Sequence, residues 1–203
     1  MRGQVTGEKL EHLADASGAV SDPDAPLLVR ARAGDRTALC QLYKRHVDGV
    51  FRRLTHLLGP DPDREDLTQQ IFAEVLGNLR TFRGEARFQS FLYRVTSHRA
   101  CDQLRRRRRQ PLRWTVEVEE VSSPSLSPEQ SAIRAEEVAS VWQYLDRIRP
   151  KKRVAWLLRL VEGLSLEEIA EQTGARPSAV AKRIAHAQRE LLEHLRRDRR
   201  TGP

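Results

Sequence analysis

The sequence predicts an all-α protein made of two small helical domains joined by an extended linker. Three observations carry that expectation. Apolar residues recur at steps of three and four through residues 27–95 and again through 138–161, the spacing that lines one face of a helix. No alternating strand pattern competes over the first of these blocks. Between the blocks the helical period lapses, and two Ser-Pro steps, Ser123-Pro124 and Ser127-Pro128, disfavour helix just before each proline.

Residues 1–24 are polar, acidic and small, and read as a flexible extension. The first domain is expected over 25–111. In it Leu39, Leu42, Tyr43, Val47, Val50, Phe51, Leu54 and Leu58 define a long helix, with Gly34-Asp35 as break and N-cap and Gly59-Pro60 as stop. A second helix follows Asp61-Pro62-Asp63, with Leu67, Ile71, Phe72, Val75, Leu76 and Leu79 inward. A third, after Gly84, carries Phe88, Phe91, Leu92 and Val95 and runs into the five arginines Arg105 to Arg109.

Residues 112–131 are expected to be the linker. The stretch WTVEVEEV within it alternates like a strand but has nothing obvious to pair with, and twenty extended residues would reach roughly 66 Å. The second domain, 132–197, opens on the stripe Val138, Val141, Trp142, Leu145 and Ile148. Pro150 then starts a helix bearing Val154, Leu157, Leu158 and Val161, and Gly163 closes it. Trp142 and Trp156 are expected in the core. Residues 198–203 form a tail.

Lys and Arg number 36 against 28 Asp and Glu, a formal net charge of +8. A sequence pI near 10.2 implies an anionic partner, nucleic acid or a lipid surface. The charge lies in blocks: −3 over residues 1–25, +9 over 26–112, −2 over 113–135 and +4 over 136–203. That pattern suggests two basic binding modules on an acidic joint. Five adjacent arginines repel one another, so the run must have an anion to meet. Cys40 and Cys101, the two cysteines, lack C-x-x-C spacing, which argues against a disulfide framework or a structural zinc. No metal or cofactor is expected. The absence of a signal-peptide core or of any run of about 18 apolar residues leads to the expectation of a soluble, cytoplasmic protein without membrane insertion.

The segment GLSLEEIAEQTGARPSAVAKRIAHAQREL (163–191) carries the most information. Ser165 and Glu168 are spaced as a capping box, with Leu164 and Ile169 at the staple positions. Gly174 permits a tight turn, and Pro177 suits the first position of a new helix. Along that helix Val180, Ile184, Ala187 and Leu191 point inward while Lys182, Arg183, His186 and Arg189 point outward. This is a helix-turn-helix, whose second helix fits a DNA major groove.

Together the blocks resemble the extracytoplasmic-function (ECF) class of bacterial sigma factors, the promoter-recognition subunits of RNA polymerase, over about residues 26–197. DREDLTQQIFAEVL (63–76) resembles the family's polymerase-binding helix. The resemblance implies that Asp66, Gln69 and Gln70 face core polymerase; Gln70 stands where the family usually has glutamate. FRGEARFQSFLYRVTSHRACDQLRRRRR (82–109) resembles the region 2 segment that melts and reads the minus-ten element. Single-strand binding of that kind needs a positive groove and π-faces. Phe82, Arg83, Arg87, Phe88, Arg94 and His98 are the candidates, with Arg105, Arg106 and Arg108 gripping phosphate. Phe91 stands where the family usually has tryptophan and is expected in the core; His98 stands where it often has asparagine.

The second domain resembles region 4, the minus-thirty-five reader, with Ser165, Arg176, Ser178, Ala179, Lys182, Arg183, His186 and Arg189 as the matching positions. Arg176 occupies the usual cap position, and AVAKR (179–183) replaces a Thr-Val-Lys-Ser-Arg core. The acidic linker around Glu117 to Glu120 resembles the family's connector; its charge either keeps it off DNA or is merely solvated. The resemblance implies core RNA polymerase and promoter DNA as partners, and commonly an anti-sigma partner, often membrane-tethered. Two other classes compete. A stand-alone helix-turn-helix dimer would need an apolar seam beside the second block, and none is visible. A metal-dependent nuclease could use Asp63, Glu65 and Asp66, but neighbouring positions on a helix do not converge on one ion, and no catalytic constellation accompanies them. A non-enzymatic initiation factor is the expected function.

Overall fold

The computed structural model describes residues 22–84, 86–109 and 128–201, with backbone alone at 128–137 and 198–201. Helices α1 (Ala25–Arg32), α2 (Arg36–Leu58) and α3 (Arg64–Gly77) are followed by a 3-10 turn at Leu79–Thr81 and by α4 (Phe88–Arg109). The second set comprises α5 (Pro128–Arg147), α6 (Pro150–Leu160), α7 (Leu166–Thr173) and α8 (Pro177–Thr201). No strand occurs among the described residues. The expected linker residues 112–127, with WTVEVEEV, lie outside them, as do residues 1–21.

Local chemistry sets the helix ends. Asp35 caps α2, its carboxylate accepting from the amides of Thr37 at 2.8 Å and Ala38 at 3.2 Å. At α7 the Ser165 hydroxyl accepts from the Glu168 amide at 3.1 Å, and the Ser165 amide donates to the Glu168 carboxylate at 2.7 Å. Those bonds hold the Glu168 pKa below its ordinary value, so the cap is complete at neutral pH and is lost as pH falls through the lowered value. Gly174 ends α7 at φ 59, the left-handed turn that the sequence anticipates.

The linker ends earlier than expected. Pro128 opens α5, four residues inside the stretch read as extended. A proline bars helix at the residue before it, yet it suits the first turn itself. The presumed loose extension is also partly built in. Asp24 is 1% exposed and pairs with Arg45 at 2.5 Å and His46 at 2.7 Å. Asp22 accepts from the Phe88 amide at 2.7 Å, satisfying a donor in the first turn of α4. Replacing Asp22 by alanine should cost about 1 kcal/mol in urea unfolding, the worth of a typical N-terminal cap. A change below about 0.3 kcal/mol would deny the bond that role.

The larger difference is between the domains. The sequence suggests two modules separated by a joint, whereas the structure has one continuous core. In the first domain α2 packs on α1, α3 and α4 around Leu42, Leu54, Ile71, Phe88 and Leu92. In the second, α6 packs on α8 and α7 around Val154, Leu158, Ile169, Val180 and Ala187. The two meet where α4 lies against α6 and α7, and α2 against α6. Gly59, φ 74, ends α2 at this junction: a methyl group there would sit 2.6 Å from the Trp142 ring, so both the turn and the close approach require glycine.

Candidate nucleic-acid interface

On α3 the apolar side is turned inward through Leu67, Ile71, Phe72 and Val75, which leaves Asp66, Gln69 and Gln70 exposed together on the outer side. Positions i, i+3 and i+4 share a helix face, so the three form one polar patch. This agrees with the sequence pattern.

Segment 82–109 follows its predicted pattern only in part. Phe82 is 3% exposed and Phe88 is fully buried. Their rings meet edge-on at 5.7 Å, Phe82 lies 5.1 Å from Phe91, and the Arg32 guanidinium sits 5.7 Å from the Phe82 centroid. Neither Phe82 nor Phe88 offers a face to a base here; both anchor the loop from below, as Phe91 was expected to do. Arg83 and Arg87 are exposed around that loop. Arg94 and His98 are half-buried further along α4.

The arginine run is divided by helix geometry, since five successive residues turn through more than a full circle. Arg106, Arg108 and Arg109 are exposed. Arg105 pairs with Asp102 at 2.6 Å. Arg107 points inward, donating to the Leu58 carbonyl at 3.1 Å and pairing with the buried Asp61. One member of the run is therefore a strut inside the protein.

The helix-turn-helix forms as the sequence implies. Val180 and Ala187 are fully buried, with Ile184 and Leu191 beside them. Arg176, Ser178, Lys182, His186 and Arg189 are exposed; Ser178, Lys182, His186 and Arg189, at steps of three or four, lie along one side of α8, and Arg176 immediately precedes that helix. Ala179 and Arg183 are half-buried. The Ser165 hydroxyl is committed as the cap of α7, which accounts for it without a base contact.

Sequence reasoning missed the charges in the interior. Arg53 is 3% exposed and Arg153 is 1% exposed. Burial pulls both guanidinium pKa values down; Glu162 opposes the shift at Arg53 and Asp146 at Arg153. A signal was present. Arg53 lies three residues after Val50 and four before Leu57, and Arg153 four before Leu157, so each falls on an apolar stripe. Among the described residues no three His, Cys, Asp or Glu side chains converge to hold a metal, and no helix is long and apolar enough to cross a membrane.

Comparison with known proteins fits this geometry. The Sigma-70 region 2 family model matches residues 42–110, and the Sigma-70 region 4 model matches 139–191. The ECF RNA polymerase sigma factor SigE of Mycolicibacterium smegmatis is 31% identical over 179 residues, covering 86% of this chain and 69% of SigE. CnrH, solved with the cytosolic domain of CnrY, superposes with a TM-score of 0.59 at 24% identity, over 87% of this chain and 99% of that one. The sigma factor RpoE of Bartonella quintana, solved with the anti-sigma factor NepR, gives 0.55 at 18%, over 77% and 95%. At those identities the two structures attest the fold. The chain belongs to the ECF class of sigma-70-type RNA polymerase sigma factors, with region 2 in its first domain and region 4 in its second.

Proposed function

We propose that the chain directs polymerase to promoters through three separate surfaces. Asp66, Gln69 and Gln70 dock on core polymerase. Arg83, Arg87, Arg94 and His98 meet the opened minus-ten strand, with Arg105, Arg106 and Arg108 on phosphates. Arg176, Ser178, Lys182, Arg183, His186 and Arg189 read the minus-thirty-five duplex. The observation that carries this is the exposed row on α8, basic and polar, on a helix whose opposite side is fixed in the core. Such a helix lies in a major groove with its first residues at base edges. The protein acts in the cytoplasm and catalyses no reaction itself; polymerase supplies the chemistry. An anti-sigma protein, the kind of partner NepR is for RpoE, is the expected regulator.

The docking surface gives the test. Asp66→Arg and Gln69→Ala change exposed side chains, so both variants should fold normally. Each should lower association with core polymerase in a pull-down, Asp66→Arg by at least tenfold through its reversed charge, and promoter-directed transcription should fall in step. Unchanged association in both would remove α3 as the docking helix.

A further inference from the structure

The loop that carries Arg83 and Arg87 has both of its ends tied to α1. At its start Arg32, in the last turn of α1, donates to the Phe82 carbonyl and, at 3.4 Å, to the Leu79 carbonyl. At its far end the Phe88 amide donates to one oxygen of Asp22 at 2.7 Å. The other oxygen of Asp22 accepts from the Asp24 amide at 2.9 Å, just before α1 begins. One carboxylate thus joins the starts of α1 and α4. Helix α1 has eight residues. At a rise of 1.5 Å per residue it is about 12 Å long, and it bridges the two ends of the loop as a brace.

The brace is itself anchored. Leu27, Leu28 and Ala31 bury its inner side, and Asp24, at its start, pairs with Arg45 and His46 of α2. The His46 ring in turn meets Phe88 edge-on at 5.4 Å. Between the tied ends the chain is open. Arg83, Gly84 and Arg87 are exposed, and a side chain on Gly84, φ 79, would meet nothing within 4 Å. Such a loop presents two arginines at a set separation and leaves their heads to a ligand. Because it is ordered beforehand, it gives up little backbone freedom on binding; releasing even one residue costs on the order of tenfold in affinity.

We infer that Asp22 and Arg32 are positioning residues for minus-ten reading: they set the loop that offers Arg83 and Arg87 to the opened strand, without touching the strand themselves. The inference rests on the minus-ten assignment proposed above, and adds to it two residues outside the matched region 2 span, 42–110. Charge gives a decisive sign. If the two acted only through their charge near DNA, removing the Asp22 carboxylate would tighten binding and removing the Arg32 guanidinium would weaken it. A brace predicts a loss from both.

The test presents holoenzyme with DNA whose non-template strand carries a randomised single-stranded segment, and sequences the bound fraction. Preference is the ratio of best to worst base at each position. In Asp22→Ala and in Arg32→Met the strongest preference should fall about tenfold, and affinity for the preferred sequence should fall with it. Asp22→Asn keeps an acceptor for the Phe88 amide without the charge, and should stay within about threefold of the unaltered protein. Glu168→Ala removes a carboxylate and a helix cap from α7. It should leave the preference unchanged, which separates positioning from lost stability. Association with core polymerase and the salt slope of binding should be the same in every variant.

Tighter binding by Asp22→Ala, or preference retained in either Asp22→Ala or Arg32→Met, overturns the brace and leaves the minus-ten assignment standing. An equal loss in Glu168→Ala assigns the effect to stability and overturns it too. A salt slope reduced by about one in Arg32→Met makes that arginine a phosphate contact and removes its positioning role. Absence of any preference in the unaltered holoenzyme overturns the minus-ten assignment itself, and the brace with it.

Discussion

Replacing Arg153 by methionine should cost about 3 kcal/mol of unfolding free energy, the low end for breaking a buried charged contact. Methionine fills much the same volume but supplies none of the bonds to Leu57 O, Leu58 O and Asp146. Asp146 is partly exposed and can recover water, so the loss falls mainly on the two carbonyls left buried at the end of α2. The substitution should also uncouple the domains. With Trp114 replaced by phenylalanine in every protein compared, fluorescence from Trp142 and Trp156 reports the second domain, whereas circular dichroism reports helix in both. In the unaltered protein the two signals should lose structure at one urea concentration; in Arg153→Met the fluorescence midpoint should come first. Arg153→Lys should recover less than half of the loss, because one ammonium cannot reproduce the fork that spans two carbonyls and a carboxylate. A cost under about 1 kcal/mol, with coincident transitions, would show that Arg153 does not tie the domains.

Which features were legible from sequence follows from the range of the forces involved. The Asp35 cap, the Ser165–Glu168 box, the Gly174 turn and the inward row Val180, Ile184, Ala187 and Leu191 depend on residues within one or two turns. Each is visible in a short window. The outward face of α8 and the polar patch on α3 follow from the same periodicity. Errors arose where a residue's partner is remote in sequence. Phe82 and Phe88 sit beside exposed arginines in the chain, and only the packing of the loop on α1 and α4 turns their rings inward. Asp22 and Asp24 look like solvated acids until Phe88, Arg45 and His46 are brought to them. Arg53 finds Gln172 and Glu162, and Arg153 the carbonyls of Leu57 and Leu58, only when the other domain is packed against them. Charge composition suggested two modules on a joint; it contains no information on whether the modules bind each other.

The arginine run separates grip from reading, and the structure sharpens the test by dividing the run itself. Arg106 and Arg108 are exposed on α4, while Arg107 is held by Asp61 and the end of α2. In holoenzyme, Arg106→Gln with Arg108→Gln should weaken promoter binding by a similar factor on every sequence. The slope of log affinity against log salt should fall by about two, near one per lost phosphate contact. Arg107→Gln should leave that slope unchanged and instead lower stability, since its charge neutralises a buried carboxylate. Arg176→Ala or Lys182→Ala should alter preference within the minus-thirty-five element by about 1–3 kcal/mol for the affected base pair, with little change at minus ten. The comparison is a salt titration on matched promoters that differ at single positions. If Arg106→Gln with Arg108→Gln changes base preference, or if Arg107→Gln flattens the salt slope while the double variant does not, then the division of the run into two gripping arginines and one internal strut is wrong.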